Sequence, residues 1–191
     1  MEIYRYVMTS DDGIAPCPDQ GMISLATCKP VIRRCARPGD WVLGCHGAPA
    51  ELGAVAWAGR VHRSVSIGDY EREFRGRADA LYRQKPDGMF ERLRPEYHHS
   101  PDDIRKDQSG SVLIFDPERS WYFGDGPQVL PPQLIHVAPR GRNHRVNGLL
   151  LGDPERLAAW LTSVGPPGVH GEPPDRDPGL CGRKRAPSGG C

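Results

Sequence analysis

Eighteen consecutive residues, Thr27 to Gly44, restrict what this chain can fold into more than any other stretch. Pro30 has the fixed φ that suits the first turn of a helix, and Thr27 is a residue type that can cap one. Lys29, Arg33, Arg34 and Arg37 then place four cations with no acid between them. Pro38-Gly39-Asp40 stops the helix and turns the chain, and Trp41-Val42-Leu43 begins a strand. The segment predicts a short basic helix over 29–37 feeding a buried strand. A phosphate or nucleotide site fits this pattern, and so does a solvated helix face beside a core strand.

Punctuation elsewhere keeps the elements short. Glycine (23) and proline (20) supply over a fifth of the 191 residues, which predicts many turns and loops. Strands are expected at Ile3–Met8, Trp41–Cys45, Gly53–Arg63, Val112–Phe115, Trp121–Phe123 and Leu134–Val137, with Val55, Trp57 and Val61 sharing one face. The segment Ile14–Met22 reads as an irregular loop. Ser66-Ile67-Gly68-Asp69 resembles a capping box opening a helix to about Arg75. Residues 76–110 have little hydrophobic periodicity and read as a long polar loop, usually a functional element at such length. Asp116-Pro117-Glu118-Arg119 reads as a hairpin-like connection. Asp153 as N-cap, Pro154 behind it, and Leu157, Trp160, Leu161 and Val164 at helical spacing predict a final helix over 153–164.

Two domains of behaviour follow: a folded body over 1–164 and a Pro/Gly-rich tail over 165–191. Glycine and proline make up 13 of the tail's 27 residues, and Val169 and Leu180 are its clear aliphatics. That composition predicts disorder, because little burial offsets the ordering entropy. The whole chain carries a net charge of +1, which argues against bulk, non-specific duplex binding. Any nucleic-acid contact must come from a local patch or pocket. No window approaches a membrane span, and the start of the chain lacks a signal-peptide pattern, so a cytoplasmic protein without membrane association is expected.

Cys17, Cys28, Cys35, Cys45, Cys181 and Cys191 contain no C-x-x-C pair and no zinc-module spacing. Free thiols are expected, with Cys28, Cys35 and Cys45 as small packing residues. Cys17, in a Pro-flanked loop, could be reactive, although no basic partner is adjacent in sequence.

The chemical candidates lie in loops. His98, His99, Asp102 and Asp103 combine imidazole and carboxylate, suited to acid–base work or a divalent metal, but adjacent histidines point apart in extended chain. Pro101 makes a helix there awkward, and no metal or cofactor is expected. Asp12 and Gly13 lie in a stiff turn where a ligand could approach the backbone closely. His144 sits among Arg140, Arg142 and Arg145 with Asn143, an anion-friendly loop. Trp121 and Tyr122 could stack on a base, though aromatic strand residues are more often core. The sequence has no G-x-G-x-x-G, P-loop, G-x-S-x-G or H-E-x-x-H, which disfavours the dinucleotide, NTPase, hydrolase and zincin chemistries those motifs carry.

Several runs occur in a familiar order: Asp11-x-Gly13-x-Ala15-Pro16-x-Pro18, Leu25-Ala26-Thr27-Cys28-Lys29-Pro30-x-Ile32-Arg33-Arg34, Gly39-Asp40-Trp41-Val42, Tyr97-His98-His99-x-x-Asp102-Asp103-x-Arg105 and Tyr122-Phe123-Gly124. Over roughly residues 1–150 they resemble the nucleotide modification associated domain 2 family of bacteria and phages. The resemblance implies a role in systems that make or handle modified DNA bases. A weaker similarity is to PUA-like and EVE-type domains, small and partly open barrels that hold a flipped or modified base.

The resulting expectation is an α+β fold: a curved, mostly antiparallel β-sheet or PUA-like β-barrel with short flanking helices. Its partner would be a nucleotide or a nucleic acid with a modified base, held near the basic helix, the 11–18 loop and the 97–107 segment. Lys29, Arg33 and Arg34 would neutralise phosphate, Trp41 or Tyr97 would stack, and Asp12, Gly13 and His144 would add contacts. In a binding module, His98, Asp102 and Asp103 would hydrogen-bond a base edge. In an enzyme, His98 or His99 would be the acid/base, assisted by Asp102 or Asp103. A protein-interaction module is the third possibility.

Overall fold

The segments Trp41–Cys45 and Ala54–Ala58 are apolar at successive positions rather than alternate ones, a pattern that calls for cover on both faces of a sheet. The computed structural model has that cover. It describes residues 1–95, 97–98, 100–141, 144–146 and 149–175. In chain order the elements are β1 (Ile3–Met8), β2 (Cys17–Asp19), β3 (Met22–Leu25), α1 (Pro30–Cys35), β4 (Trp41–His46), β5 (Ala54–Val65), α2 (Ile67–Glu73), β6 (Tyr82–Gln84), β7 (Phe90–Arg92), α3 (Pro101–Gln108), β8 (Val112–Tyr122), β9 (Gln128–Val129), a 3₁₀ helix (Pro132–Val137), α4 (Asp153–Val164) and β10 (Gly168–Val169).

An eight-stranded sheet runs β1-β4-β5-β8-β3-β2, with β9 added to β5 and β10 to β8. β1 pairs with β4 in parallel, as β10 does with β8; the other pairings in this sheet are antiparallel. The class is therefore α+β with a mostly antiparallel sheet. Among the described residues it does not close into a barrel, since β1 and β2 stand at opposite ends of the order.

Each face has its own core. On one, Ile3, Trp41, Leu43, Val55, Ala58 and Trp121 meet Leu157 and Leu161 of α4 and Leu134 and Val137 of the 3₁₀ helix. Burying one such leucine contributes about 1.5–3 kcal/mol. On the other, Tyr4, Tyr6, Val42, Trp57, Val61, Phe115 and Tyr122 pack with Ile32 of α1. Val55 and Trp57 fall on opposite faces, contrary to simple alternation. The pairing steps from Gly44↔Trp57 to Cys45↔Val55, so Ala56 is the extra residue of a bulge that flips the faces.

Several boundaries differ from the sequence expectation. Thr27 does not cap α1; its Oγ1 is buried without a hydrogen-bond partner, and the cap position is Lys29 in the left-handed region at φ 39°. The 14–22 loop contains the β2–β3 hairpin. Residues 116–119 form an excursion within one strand rather than a hairpin, as the register moves from Gly59↔Ser120 to Val61↔Phe115. Leu134–Val137 is 3₁₀ helix, opened by Pro131-Pro132, not strand. Gly152, not Asp153, caps α4, while the Asp153 carboxylate accepts from the Leu150 N–H at 2.8 Å.

The 76–110 segment is a built insert rather than a loop. It contains the β6–β7 hairpin and α3, where Ser100 caps and Pro101 occupies the first turn, a position that tolerates proline. A buried network anchors the insert to β3. Tyr70 donates to Asp79 at 2.7 Å, Ser24 donates to Asp79 at 2.6 Å, and Arg77 donates to Ser24 at 2.9 Å. Residues 165–175, assigned to a disordered tail by composition, run back along the sheet as β10 and a strap; main-chain pairing to Tyr122 and Asp11 compensates for their small apolar content. Residues 176–191 lie outside the described residues. No helix among the described residues is long and apolar enough to cross a membrane.

Candidate active site

The connection from β3 to α1 passes through two consecutive residues in the left-handed region, Cys28 at φ 55° and Lys29 at φ 39°. Such conformations are uncommon outside glycine, and they persist where surrounding contacts over-determine them. Here the contacts come from the insert and from α1. The Cys28 N–H donates to Asp107 Oδ1 at 2.9 Å, and its carbonyl accepts from Arg33 Nη1 at 3.2 Å.

Asp107 lies in the last turn of α3 and is 1% exposed. Its second oxygen, Oδ2, accepts from the Tyr82 hydroxyl at 2.9 Å and from His98 Nδ1 in a short contact. His98 is buried, with φ 50°, and its carbonyl accepts from Arg92 at 3.0 Å. The opposite ring nitrogen, Nε2, lies 3.4 Å from Cys28 Sγ. With Nδ1 donating to the carboxylate, Nε2 is left to accept the thiol proton. Cys28 is half-buried, whereas His98 and Asp107 are buried.

Thiol, imidazole and carboxylate thus stand in line, the arrangement that activates a nucleophile and holds its base in one tautomer. The same three residues offer donor atoms within 4.8 Å of one another, which is metal-ligand proximity. Both Asp107 oxygens, however, already accept hydrogen bonds from the site. An ion bound by all three residues would have to break some of those bonds, so the geometry suits a proton relay better.

Arg33 reinforces the relay from behind. It is 1% exposed, and its guanidinium donates to the carbonyls of Cys28, Asp107, Gly110 and Ser111. Burial pulls its pKa down to about 10, with Asp107 opposing. With four of its five N–H donors committed to carbonyls and the side chain buried, Arg33 is closed to phosphate, which corrects its expected role. Arg34, next along the helix, is exposed.

The remaining expected site residues are dispersed. Trp41 is 1% exposed and stacks on Trp121 with centroids 6.4 Å apart, so it is core and not a platform for a base. Tyr97 is buried in the cluster between α2 and α3. Asp102 and Asp103 sit in the exposed first turn of α3, paired with Arg105 and with Lys106 and Ser100; the carboxylate that meets His98 is Asp107 instead. His99 lies outside the described residues. Gly13, expected to admit a ligand, is covered: a Cβ there would lie 2.8 Å from Pro173 Cγ. Asp12 accepts from the Ile14 N–H at 3.0 Å in a local turn. Lys29 Nζ lies 4.4 Å from the Tyr6 ring centroid, and the Tyr6 hydroxyl donates to the Ala15 carbonyl at 3.3 Å. That ring links the helix start to the 11–18 loop. His144 lies beside β1, its carbonyl accepting from the Arg5 N–H at 2.9 Å.

Sequence reasoning assigned Cys28 to packing and passed over Asp107 and Tyr82. Nothing in the local sequence distinguishes Asp107 from Asp102 or Asp103. The available signal for Cys28 was its place beside Lys29-Pro30 at a helix start.

Comparison with curated proteins and with solved structures gave no match. Residues 1–92, the segment that carries Cys28 but ends before His98, match the family model described as nucleotide modification associated domain 2.

Proposed function

We propose that this protein is a thiol-dependent enzyme acting on a nucleotide or a modified base, with Cys28 as nucleophile, His98 as general base and acid, and Asp107 as the group that orients His98. The observation that carries this reading is the Cys28 Sγ–His98 Nε2 approach of 3.4 Å with Asp107 on the other ring nitrogen. The family-model match over residues 1–92 supports a nucleotide-modification context. The reaction class that fits is acyl transfer. His98 takes the thiol proton as sulfur adds to a carbonyl carbon, then returns it to the departing nitrogen or oxygen. Water, deprotonated by the same imidazole, cleaves the thioester and regenerates the thiol. Hydrogen bonds from the Tyr82 hydroxyl and the Cys28 N–H hold the Asp107 carboxylate in line with His98. The alternative of a binding module without turnover draws less support, because Arg33, Trp41 and Tyr97 are buried.

Cys35, a free and exposed cysteine, is a built-in reference for the test. Carboxymethylation by iodoacetamide at pH 7, followed by peptide mass spectrometry, is expected to modify Cys28 about tenfold faster than Cys35 or more. His98→Gln should remove that advantage and leave Cys35 unchanged. Equal rates in the wild type, or a His98→Gln variant that keeps the advantage, would sink the nucleophile reading.

A further inference from the structure

Arg5 carries a positive charge into the interior with no acid to meet it. It lies in β1, is 9% exposed, and forms no ion pair among the described residues. Nη1 donates to the carbonyls of His136 at 2.7 Å and Ala138 at 2.6 Å, at the end of the 3₁₀ helix. Those two bonds fix the guanidinium and leave its other edge unused. Nε is buried without a hydrogen-bond partner, and Nη2 forms no hydrogen bond among the described residues but keeps contact with solvent. In a planar guanidinium, Nε–H and Nη2–H form the fork that takes two oxygens of one oxyanion. A buried cation with an unmet donor costs free energy, which such an anion recovers.

His144 stands directly across from Arg5. The Arg5 N–H donates to the His144 carbonyl at 2.9 Å and the Val146 N–H to the Ile3 carbonyl at 3.1 Å, around the antiparallel bridge Tyr4↔Arg145. Residues opposite one another in this register project to the same face of the sheet. For Arg5 and His144 that is the face on which Ile3 and Val146 share a core. His144 Nδ1 is also buried without a hydrogen-bond partner. Burial lowers the pKa of this histidine, so the neutral ring adds no repulsion to Arg5 and can donate from Nδ1. Arg140, two residues beyond Ala138, is exposed and forms no ion pair among the described residues.

We propose that the unused edge of Arg5, with His144 opposite it, is a seat for a phosphate group of a nucleotide or a nucleic-acid strand. Two cations without an acid favour phosphate, which offers an oxygen pair to the fork and a further oxygen to a neighbouring donor. The seat is separate from the Cys28 relay. Tyr4 and Tyr6, the neighbours of Arg5, pack in the core of the other face, where Lys29 rests on the Tyr6 ring.

Nitrogen–proton correlation spectra of the arginine Nε–H groups test this on the intact chain, with the Arg5 signal assigned through bonds from its backbone. The probes are inorganic phosphate, a nucleoside monophosphate with its parent nucleoside, and a short mixed-sequence single-stranded DNA. The Arg5 signal is expected to shift and saturate with the monophosphate or the DNA, at about tenfold lower concentration than any response to the nucleoside. Saturation by the monophosphate marks a free nucleotide as the source, and saturation by the DNA alone marks a strand backbone. In calorimetry, Arg5→Lys, which keeps the charge and loses the fork, should weaken that binding about tenfold. His144→Ala, which leaves the Arg5 bonds to His136 and Ala138 in place, should weaken it about threefold and serves as the test if Arg5→Lys does not fold. Cys28→Ser should bind as the wild type does, so loss of the nucleophile reading leaves this seat standing, and the reverse. The proposal fails if no probe moves the Arg5 signal, if chloride at equal ionic strength moves it as far, or if the variants bind as tightly as the wild type. It fails too if inorganic phosphate alone moves the signal, which would mark an adventitious ion only.

Discussion

Arg33 and Arg34 are neighbours in a six-residue helix, yet one is buried and the other exposed. Adjacent helical residues point about 100° apart, so a doublet of arginines seldom serves one purpose. Which one turns inward was not legible, because the carbonyls that receive Arg33 come from Asp107, Gly110 and Ser111, far along the chain. Arg33→Met should cost about 3–5 kcal/mol in urea unfolding, since it removes a buried guanidinium and strands the four carbonyls it serves. Arg33→Lys should recover little, as a point-charged ammonium cannot span the fork. A loss under about 1 kcal/mol for Arg33→Met would contradict the structural role. His98 stood out in the sequence as a candidate, but the residues it touches did not. Asp102, Asp103 and Asp107 are chemically equivalent in the sequence, and only the turn of α3 decides which one faces the ring.

Among the elements, those with local start signals were the legible ones. Ser66 before α2 accepts from the Asp69 N–H at 3.0 Å, as the capping pattern implied, and α4 spans Asp153–Val164 with Leu157 and Leu161 buried. The C-terminal strap was missed because composition cannot register main-chain pairing. His170 N–H donates to the Tyr122 carbonyl at 2.8 Å, Trp121 Nε1 donates to the Gly165 carbonyl at 2.9 Å, and Asp175 N–H donates to the Asp11 carbonyl at 2.8 Å. The approach is so close that a Cβ at Gly171 would lie 2.0 Å from the Phe123 carbonyl oxygen, and one at Gly124 would lie 2.3 Å from that of Glu172. Gly171→Ala is therefore expected to undock the strap at a cost of about 1–3 kcal/mol. Hydrogen exchange should show lost protection at His170 while β5 stays protected; unchanged protection at His170 would refute the packing argument.

At the scale of the whole molecule, buried ionisable groups tie stability to pH. Asp11 is 2% exposed, and its carboxylate accepts from the Tyr122 hydroxyl at 2.8 Å and the Gly13 N–H at 3.3 Å. Burial outweighs these bonds and raises its pKa from 3.8 to about 6. The sign follows from the raised value: its contribution to stability is full below the unfolded pKa and is lost as pH rises through the folded one. Between pH 5 and pH 8 the wild type should lose about 1.4 kcal/mol relative to Asp11→Asn, whose side chain does not titrate. Comparing the two proteins by urea unfolding at each pH cancels other groups, including the buried Asp79. A difference independent of pH would show that Asp11 does not titrate in this window.

The sequence by itself determined the α+β class and the helix-turn-strand unit from Pro30 into Trp41, because periodicity, caps and short motifs are local properties. It also excluded a strongly cationic molecule, since net charge is a plain count. The tertiary structure decided the rest. Only folding carries the 76–110 insert across β3 and the start of α1, where Asp107 can reach the Cys28 N–H and His98 can reach its thiol. It likewise turned Arg33 from a free cation into a brace and left Lys29 without an acid among the described residues. Contacts between residues about 70 to 80 positions apart depend on the packing of whole elements, which no local pattern encodes.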